Sequence, residues 1–259
     1  MSERQSGLSA RLYMAKSDKN NSGPGFPPAV PGESLNVPVR REEIAMIFDP
    51  QSQVAEQFRA LRNSIQAMNS DGASHTLVLT SAVPGEGKTV AALNLAVSLS
   101  ELPGVHTLVL DADLHEPSVE QYLGLPRRQG LAEVLAGQLT IDQAVRATSV
   151  DGVSIMGAGT RPQNPSELLG SDRMKTVMNR LRQRYSYVVI DTPAALNVSD
   201  ASLLGSMADG ILLVVRLGST ARYHVQRTHN TLEALGGNVL GTLLIDANQE
   251  NIGKDYSKG

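Results

Sequence analysis

Residues 75–99 read HTLVLTSAVPGEGKTVAALNLAVSL. An apolar, β-rich run passes through a loop too rich in glycine and proline for regular structure, then into a segment of helix-forming apolar residues. The loop follows the phosphate-binding pattern GxxxxGK followed by Ser or Thr, with Ala82 at the first glycine and Gly85, Gly87, Lys88 and Thr89 in register. Glycines allow backbone N–H groups to turn inward as a nest for phosphate oxygens, and the following helix adds its positive end. Lys88 brings a compact charge to those oxygens, and Thr89 offers a hydroxyl to a magnesium ion bridging two phosphates. Gly85, Glu86, Gly87, Lys88, Thr89 and Val90 are therefore the expected nucleotide-contacting run, although Val90 lacks the second hydroxyl that many such loops place there.

Downstream, the runs VHTLVLD, VSIM, YSYVVID, GILLVVR and NVLGTLLID alternate with helical patterns. Alternation of this kind predicts an α/β fold, a P-loop NTPase with a mainly parallel central sheet flanked by helices on both faces. Two of these strands end in acids. YVVIDTP puts Asp191 where a P-loop protein needs a carboxylate for magnesium, and LVLDADLHEP ends in Asp111 and Asp113, which an extended chain would place on the same side. One of that pair is positioned to hold metal and the other to accept the proton of an incoming hydroxyl; the competing reading is turn and capping chemistry before PSVEQYL.

Outside this core, residues 1–45 are polar and then rich in proline and glycine, and read as a flexible arm. Residues 46–248 form the expected P-loop domain. Its first segment, 46–70, carries Val54, Phe58, Leu61, Ile65 and Met68 at helical spacing, with Glu56, Arg59 and Arg62 on the same helix. Residues 249–259 read as a polar, frayed tail holding Tyr256. NPSELL reads as a loop ending in Ser166 as a helix N-cap. Tyr185 and Tyr187 flank a buried strand and look structural, whereas Tyr13 sits in the arm. His224 and His229, five apart on a helix, diverge and do not form a metal pair.

A net charge of −3 gives no global attraction to nucleic acid or an anionic membrane. The absence of cysteine excludes disulfides, thiolate metal sites and a thiol nucleophile. No run of 18 apolar residues or secretory signal is present, so no direct membrane span is expected.

On AVPGEGKT, LVLDADLHEP, YVVIDTPAALNVSDA, GTRPQNPSELLGS and EQFRALRN, across about residues 50–245, the chain resembles the bacterial tyrosine kinases that regulate export of capsular and extracellular polysaccharide. The resemblance implies an ATP- and Mg²⁺-dependent protein-tyrosine autokinase. Lys88, Asp111 and Asp113 would be catalytic, and Thr89, Asp111 and Asp191 would hold the metal. Glu56, Arg59 and Arg62 would mediate ring-like self-association, and Tyr256 would be the phospho-acceptor. It also implies a membrane-anchored polysaccharide copolymerase as partner, and a cytoplasmic location peripheral to the membrane. The chain departs from the family pattern in Leu114, His115 and Glu116, where basic residues usually follow the DAD, in Ile245 and Asp246, where an asparagine often follows the last strand, and in a tail with one tyrosine instead of a cluster. The alternatives are a positioning ATPase of the MinD and ParA type, whose second loop lysine is replaced here by Val83, and a catalytically weak ATP-binding assembly regulator.

Overall fold

The computed structural model describes residues 43–69 and 75–246, together with the backbone of residues 11–14. The rest of the arm, and the tail with Tyr256, lie outside the described residues. Eight strands form one sheet: β1 (Arg11–Met14), β2 (His75–Ser81), β3 (Thr107–Asp111), β4 (Val145–Ala147), β5 (Val153–Met156), β6 (Tyr187–Asp191), β7 (Gly210–Arg216) and β8 (Val239–Ile245), in the spatial order β1-β8-β7-β2-β6-β3-β5-β4. The six strands from β8 through β5 are parallel, and only the two edges, β1 on β8 and β4 on β5, run antiparallel. All six apolar runs read in the sequence are these parallel strands. Neither edge strand was read there: β4 is only VRA, and β1 falls in the stretch assigned to the arm.

The helices are α1 (Ala45–Phe48), α2 (Gln53–Met68), α3 (Lys88–Ser100), α4 (Val119–Tyr122), α5 (Leu131–Ala136), α6 (Ile141–Ala144), α7 (Pro165–Leu169), α8 (Asp172–Arg182), α9 (Asp200–Gly205) and α10 (Arg222–Ala234). Strand side chains alternate faces, and the core divides accordingly. Leu77, Leu79, Val109, Val189, Leu212 and Val214 pack under α2 and α3. Val78, Leu108, Leu110, Val188, Ile190 and Leu213 pack under α5, α8, α9 and α10. A strand buried on both faces has no polar side, which is why these runs lack alternation.

The connection after β2 runs through α3 on one face to β3, and the connection after β6 runs through α9 on the other face to β7. The chain thus departs to opposite sides around β2. A crevice outside the carboxyl ends of the strands opens at such a point, and the Gly-rich loop occupies it. Helix α3 is buried from Val90 through Leu99 because α2 covers the side that the sheet does not. Within it, Asn94 is satisfied by the Met46 N–H at 3.0 Å and by donating to the Val90 carbonyl at 2.9 Å.

Helix α2 buries Ala55, Phe58, Leu61 and Ile65, each large side chain contributing about 1.5–3 kcal/mol. Met68, assigned to that stripe from its spacing, is instead 41% exposed, and Ala55 takes the first buried position. The helix ends at Met68, and Ile65 is its last buried side chain.

Candidate functional site

A cavity of about 580 Å³ lies at the carboxyl ends of the strands, lined by Gly85, Gly87, Lys88, Thr89, Val90 and Asp113 among others. Gly85 and Gly87 have φ of 80° and 89°, the left-handed region in which a side chain would be strained. The loop therefore needs glycine at both positions to turn its N–H groups toward the cavity. Lys88, the first residue of α3, has no side-chain hydrogen bond or ion pair among the described residues, yet its charge is felt by Asp191. Such a lysine in a cavity is positioned for an anionic ligand.

Thr89 Oγ1 donates to Asp191 Oδ2 at 2.6 Å and lies 2.9 Å from Ser118 Oγ. The other carboxylate oxygen, Asp191 Oδ1, is buried and has no hydrogen-bond partner. An orphaned buried carboxylate oxygen is costly unless a ligand completes it. Together with the Thr89 hydroxyl it fits a hard divalent cation such as Mg²⁺. No group of three His, Cys, Asp or Glu side chains among the described residues is arranged to hold a metal.

Asp111 and Asp191 are register partners on the adjacent strands β3 and β6. Burial, with Asp113 adding to it against the Thr89 hydroxyl and the Lys88 charge, pushes Asp191 up to about 7. Burial, and then the Asp191 charge, raises Asp111 well above the carboxylate range. Burial and mutual repulsion favour the neutral form of both carboxyls, and a bound cation would favour the charged form.

The DAD acids do not share one side as an extended chain would require. The chain leaves β geometry at Asp111, and the pair separates. Asp113 lines the cavity, its Oδ1 accepting the N–H of His115 at 3.1 Å and of Glu116 at 2.9 Å. Asp111 lies behind the cavity wall: Oδ2 accepts the N–H groups of Ser118 and Val119, each at 3.0 Å, and Oδ1 accepts that of Asp113 at 3.2 Å. Asp111 thus anchors the start of α4 and the turn that carries Asp113, the capping role weighed against a functional one.

Glu86, grouped with the nucleotide-contacting residues from its place in the loop, turns its side chain away from the cavity. It is 1% exposed. Oε2 accepts the Val83 N–H at 2.9 Å, while Oε1 accepts the Arg216 N–H at 3.1 Å and the Thr220 hydroxyl. The carboxylate bolts the loop to the end of β7.

Ser166 is not a helix N-cap. Helix α7 begins with Pro165 after Asn164, and Ser166 inside it donates to the fully buried Asp200, which also pairs with His115 Nε2 at 3.0 Å. His115 lines the cavity beside Asp113, as do Arg161 and Arg216. Arg161 and Asp200 fall inside the stretches GTRPQNPSELLGS and YVVIDTPAALNVSDA but are assigned no role there, and Arg216 only closes the apolar run GILLVVR.

On α2, Arg59 pairs with Glu56 at 2.7 Å, the intrahelical pair its spacing predicts. Both Arg59 and Arg62 also reach Glu101, beyond the end of α3, at 2.7 Å. The Arg59 hydrogen bond, against burial, holds Glu101 below the usual carboxylate range. The helix assigned to self-association is thus tied to the helix that begins with Lys88.

Residues 75–243 match the family model described as an AAA domain. The chain is 35% identical over 206 residues to the tyrosine-protein kinase YwqD of Bacillus subtilis, covering 80% of this chain and 86% of that one. Among solved structures, it matches the kinase domain of the Escherichia coli tyrosine kinase ETK with a TM-score of 0.74 at 31% identity, covering 78% of each chain. It matches the chimerical protein CapA2B2 with a TM-score of 0.74 at 30% identity, covering 81% of this chain and 94% of that one. A P-loop, an aspartate bonded to its threonine, and likeness at this level along most of a whole kinase place the chain in the bacterial tyrosine-protein kinase family, on the AAA-domain scaffold of P-loop NTPases.

Proposed function

We propose that the protein is an ATP-dependent protein-tyrosine autokinase of capsular or extracellular polysaccharide synthesis, transferring a phosphoryl group from MgATP to tyrosine. The observation that carries the chemistry is the meeting of Lys88, Thr89 and Asp113 on one cavity, with Asp191 bonded to Thr89 behind it. The P-loop N–H groups and Lys88 hold the β- and γ-phosphates. Thr89 and Asp191 would hold Mg²⁺, which would supply charge neutralisation on the phosphates. Asp113 accepts the proton as the tyrosine oxygen bonds to the γ-phosphorus, while the bond from that phosphorus to the β–γ bridging oxygen breaks and ADP leaves. Asp111 acts by holding the Asp113 turn and the start of α4.

Arg59 and Arg62, with Glu56, are the proposed contacts of a ring-like homo-oligomer, which would present Tyr256 of one copy to the cavity of the next at an effective concentration of roughly millimolar order. No helix among the described residues is long and apolar enough to cross a membrane. A membrane-anchored copolymerase is the partner this reading requires, with the kinase at the cytoplasmic surface beside it.

The test is incubation with Mg²⁺ and ATP labelled on the γ-phosphate, alongside Lys88→Met, with phosphotyrosine mapped by mass spectrometry. Label on Tyr256 that disappears in Lys88→Met is expected. Free phosphate without phosphotyrosine would replace this reading with a positioning ATPase, and nucleotide binding with neither product would favour an assembly regulator.

A further inference from the structure

We propose that Arg216 is a nucleotide-binding residue whose guanidinium takes the α-phosphate, on the side of the P-loop opposite the acids. This rests on the nucleotide site described above. The sheet order sets the direction. The P-loop follows β2, with β6 and then β3, the strands of Asp191 and Asp111, on one side and β7 and then β8 on the other. A triphosphate whose terminal phosphate faces the acids must run its α-phosphate and nucleoside toward β7 and β8. Arg216 ends β7 and lines the same cavity. A Cβ placed on Gly87 would lie only 3.9 Å from Arg216 Nη2, so the guanidinium stands beside the loop backbone that cradles phosphate.

Two carboxylates hold it there. Glu86 accepts the Arg216 backbone N–H, fixing the end of β7 against the P-loop. Asp246, with its carboxylate 3.1 Å from Arg216 Nε, follows β8 at φ 59°, and it is the one non-glycine residue at positive φ among the described residues. A left-handed aspartate costs energy that the surroundings must offset. Yet Nε, although close enough for charge pairing, is buried without a hydrogen bond, because its N–H does not line up with the Asp246 oxygen. Asp246 supplies charge at Nε, while neither Nη group makes a hydrogen bond among the described residues. A planar guanidinium with free donors at a phosphate cavity matches phosphate oxygens bidentately, as an ammonium cannot.

The position also predicts which nucleotides feel the residue. A contact to the α-phosphate is made equally by ATP and ADP, whereas a contact from the acid side would favour ATP. The experiment measures ADP affinity directly with a fluorescent analogue and ATP affinity by displacement, for the wild type, Arg216→Gln and Arg216→Lys, with thermal melting of each nucleotide-free protein. Arg216→Gln is expected to weaken ATP and ADP by the same factor of about ten, the loss of one charge-assisted contact. Arg216→Lys should lose less, with melting unchanged in both. If Arg216→Gln does not fold, a loss of about threefold or more in Arg216→Lys decides for the proposal. Affinities within about twofold of wild type in the folded variants would overturn it, as would a loss confined to ATP. A wild-type chain that binds neither nucleotide, or binding that survives Lys88→Ala, would instead overturn the nucleotide site itself.

Discussion

Asp191→Asn should stabilise the nucleotide-free protein while disabling it. In the fold the Asp191 carboxyl is fully buried and raised from 3.8 to about 7. Its stabilising contribution is therefore complete below about pH 4 and is lost as the pH rises through 7. The gap between 3.8 and about 7 corresponds to about 4 kcal/mol lost by neutral pH. Asp111 faces it across β3 and β6 and the two titrate together, so one substitution should recover about half. Asparagine keeps an oxygen to accept the Thr89 hydroxyl and cannot ionise. For a chain of this size, about 2 kcal/mol corresponds to a rise in Tm of roughly 4–8 °C. The assay is thermal unfolding followed by circular dichroism in EDTA from pH 4 to pH 8, variant against wild type. The advantage of Asp191→Asn should be near zero at pH 4, grow through pH 7 and level off above it. Adding Mg²⁺ and ATP should reverse the order, because the wild type gains a metal contact that the variant lacks. A variant that melts below wild type at every pH, or whose advantage does not shrink between pH 8 and pH 4, would refute the reasoning.

Glu86→Gln replaces an acceptor of three donors with a group that can satisfy only some of them, and should cost about 2–3 kcal/mol; faster amide exchange at Val83 and Arg216 would accompany the lower Tm, and unchanged exchange would remove the bolt. Gly87→Ala meets nothing closer than 3.9 Å, so its cost should come from φ strain alone, about 1–2 kcal/mol by denaturant unfolding, and no loss would show that the loop relaxes out of the left-handed region. Arg59→Ala with Arg62→Ala should reduce self-association in sedimentation velocity and lower stability by about 1 kcal/mol through loss of the Glu101 pairs. An unchanged sedimentation profile would remove these residues from the proposed ring.

Much of the site was legible because its parts are local. The P-loop is eight consecutive residues, and the strand-end position of Asp191 follows from the four apolar residues before it. The same local reasoning failed where one extra turn of backbone mattered. Asp111 and Asp113 look equivalent in an extended chain, but the chain bends between them, and only Asp113 lines the cavity. Glu86 looks like a loop residue facing phosphate, but both neighbours have positive φ and its side chain is carried to the other side. Met68 fits the apolar spacing of α2, but the core that covers Ile65 does not cover it among the described residues.

The parallel sheet, its buried strands and the phosphate loop were written in the order of the residues, because apolar runs, glycines and a lysine act through their immediate neighbours. Contacts between strands far apart in the chain were not. Asp200 with His115 and Ser166, Glu101 with Arg59 and Arg62, and Arg216 between Glu86 and Asp246 each join groups separated by between 30 and 130 residues. No spacing rule connects such groups; the order in which the strands lie side by side, and the packing of α2 on α3, bring them together.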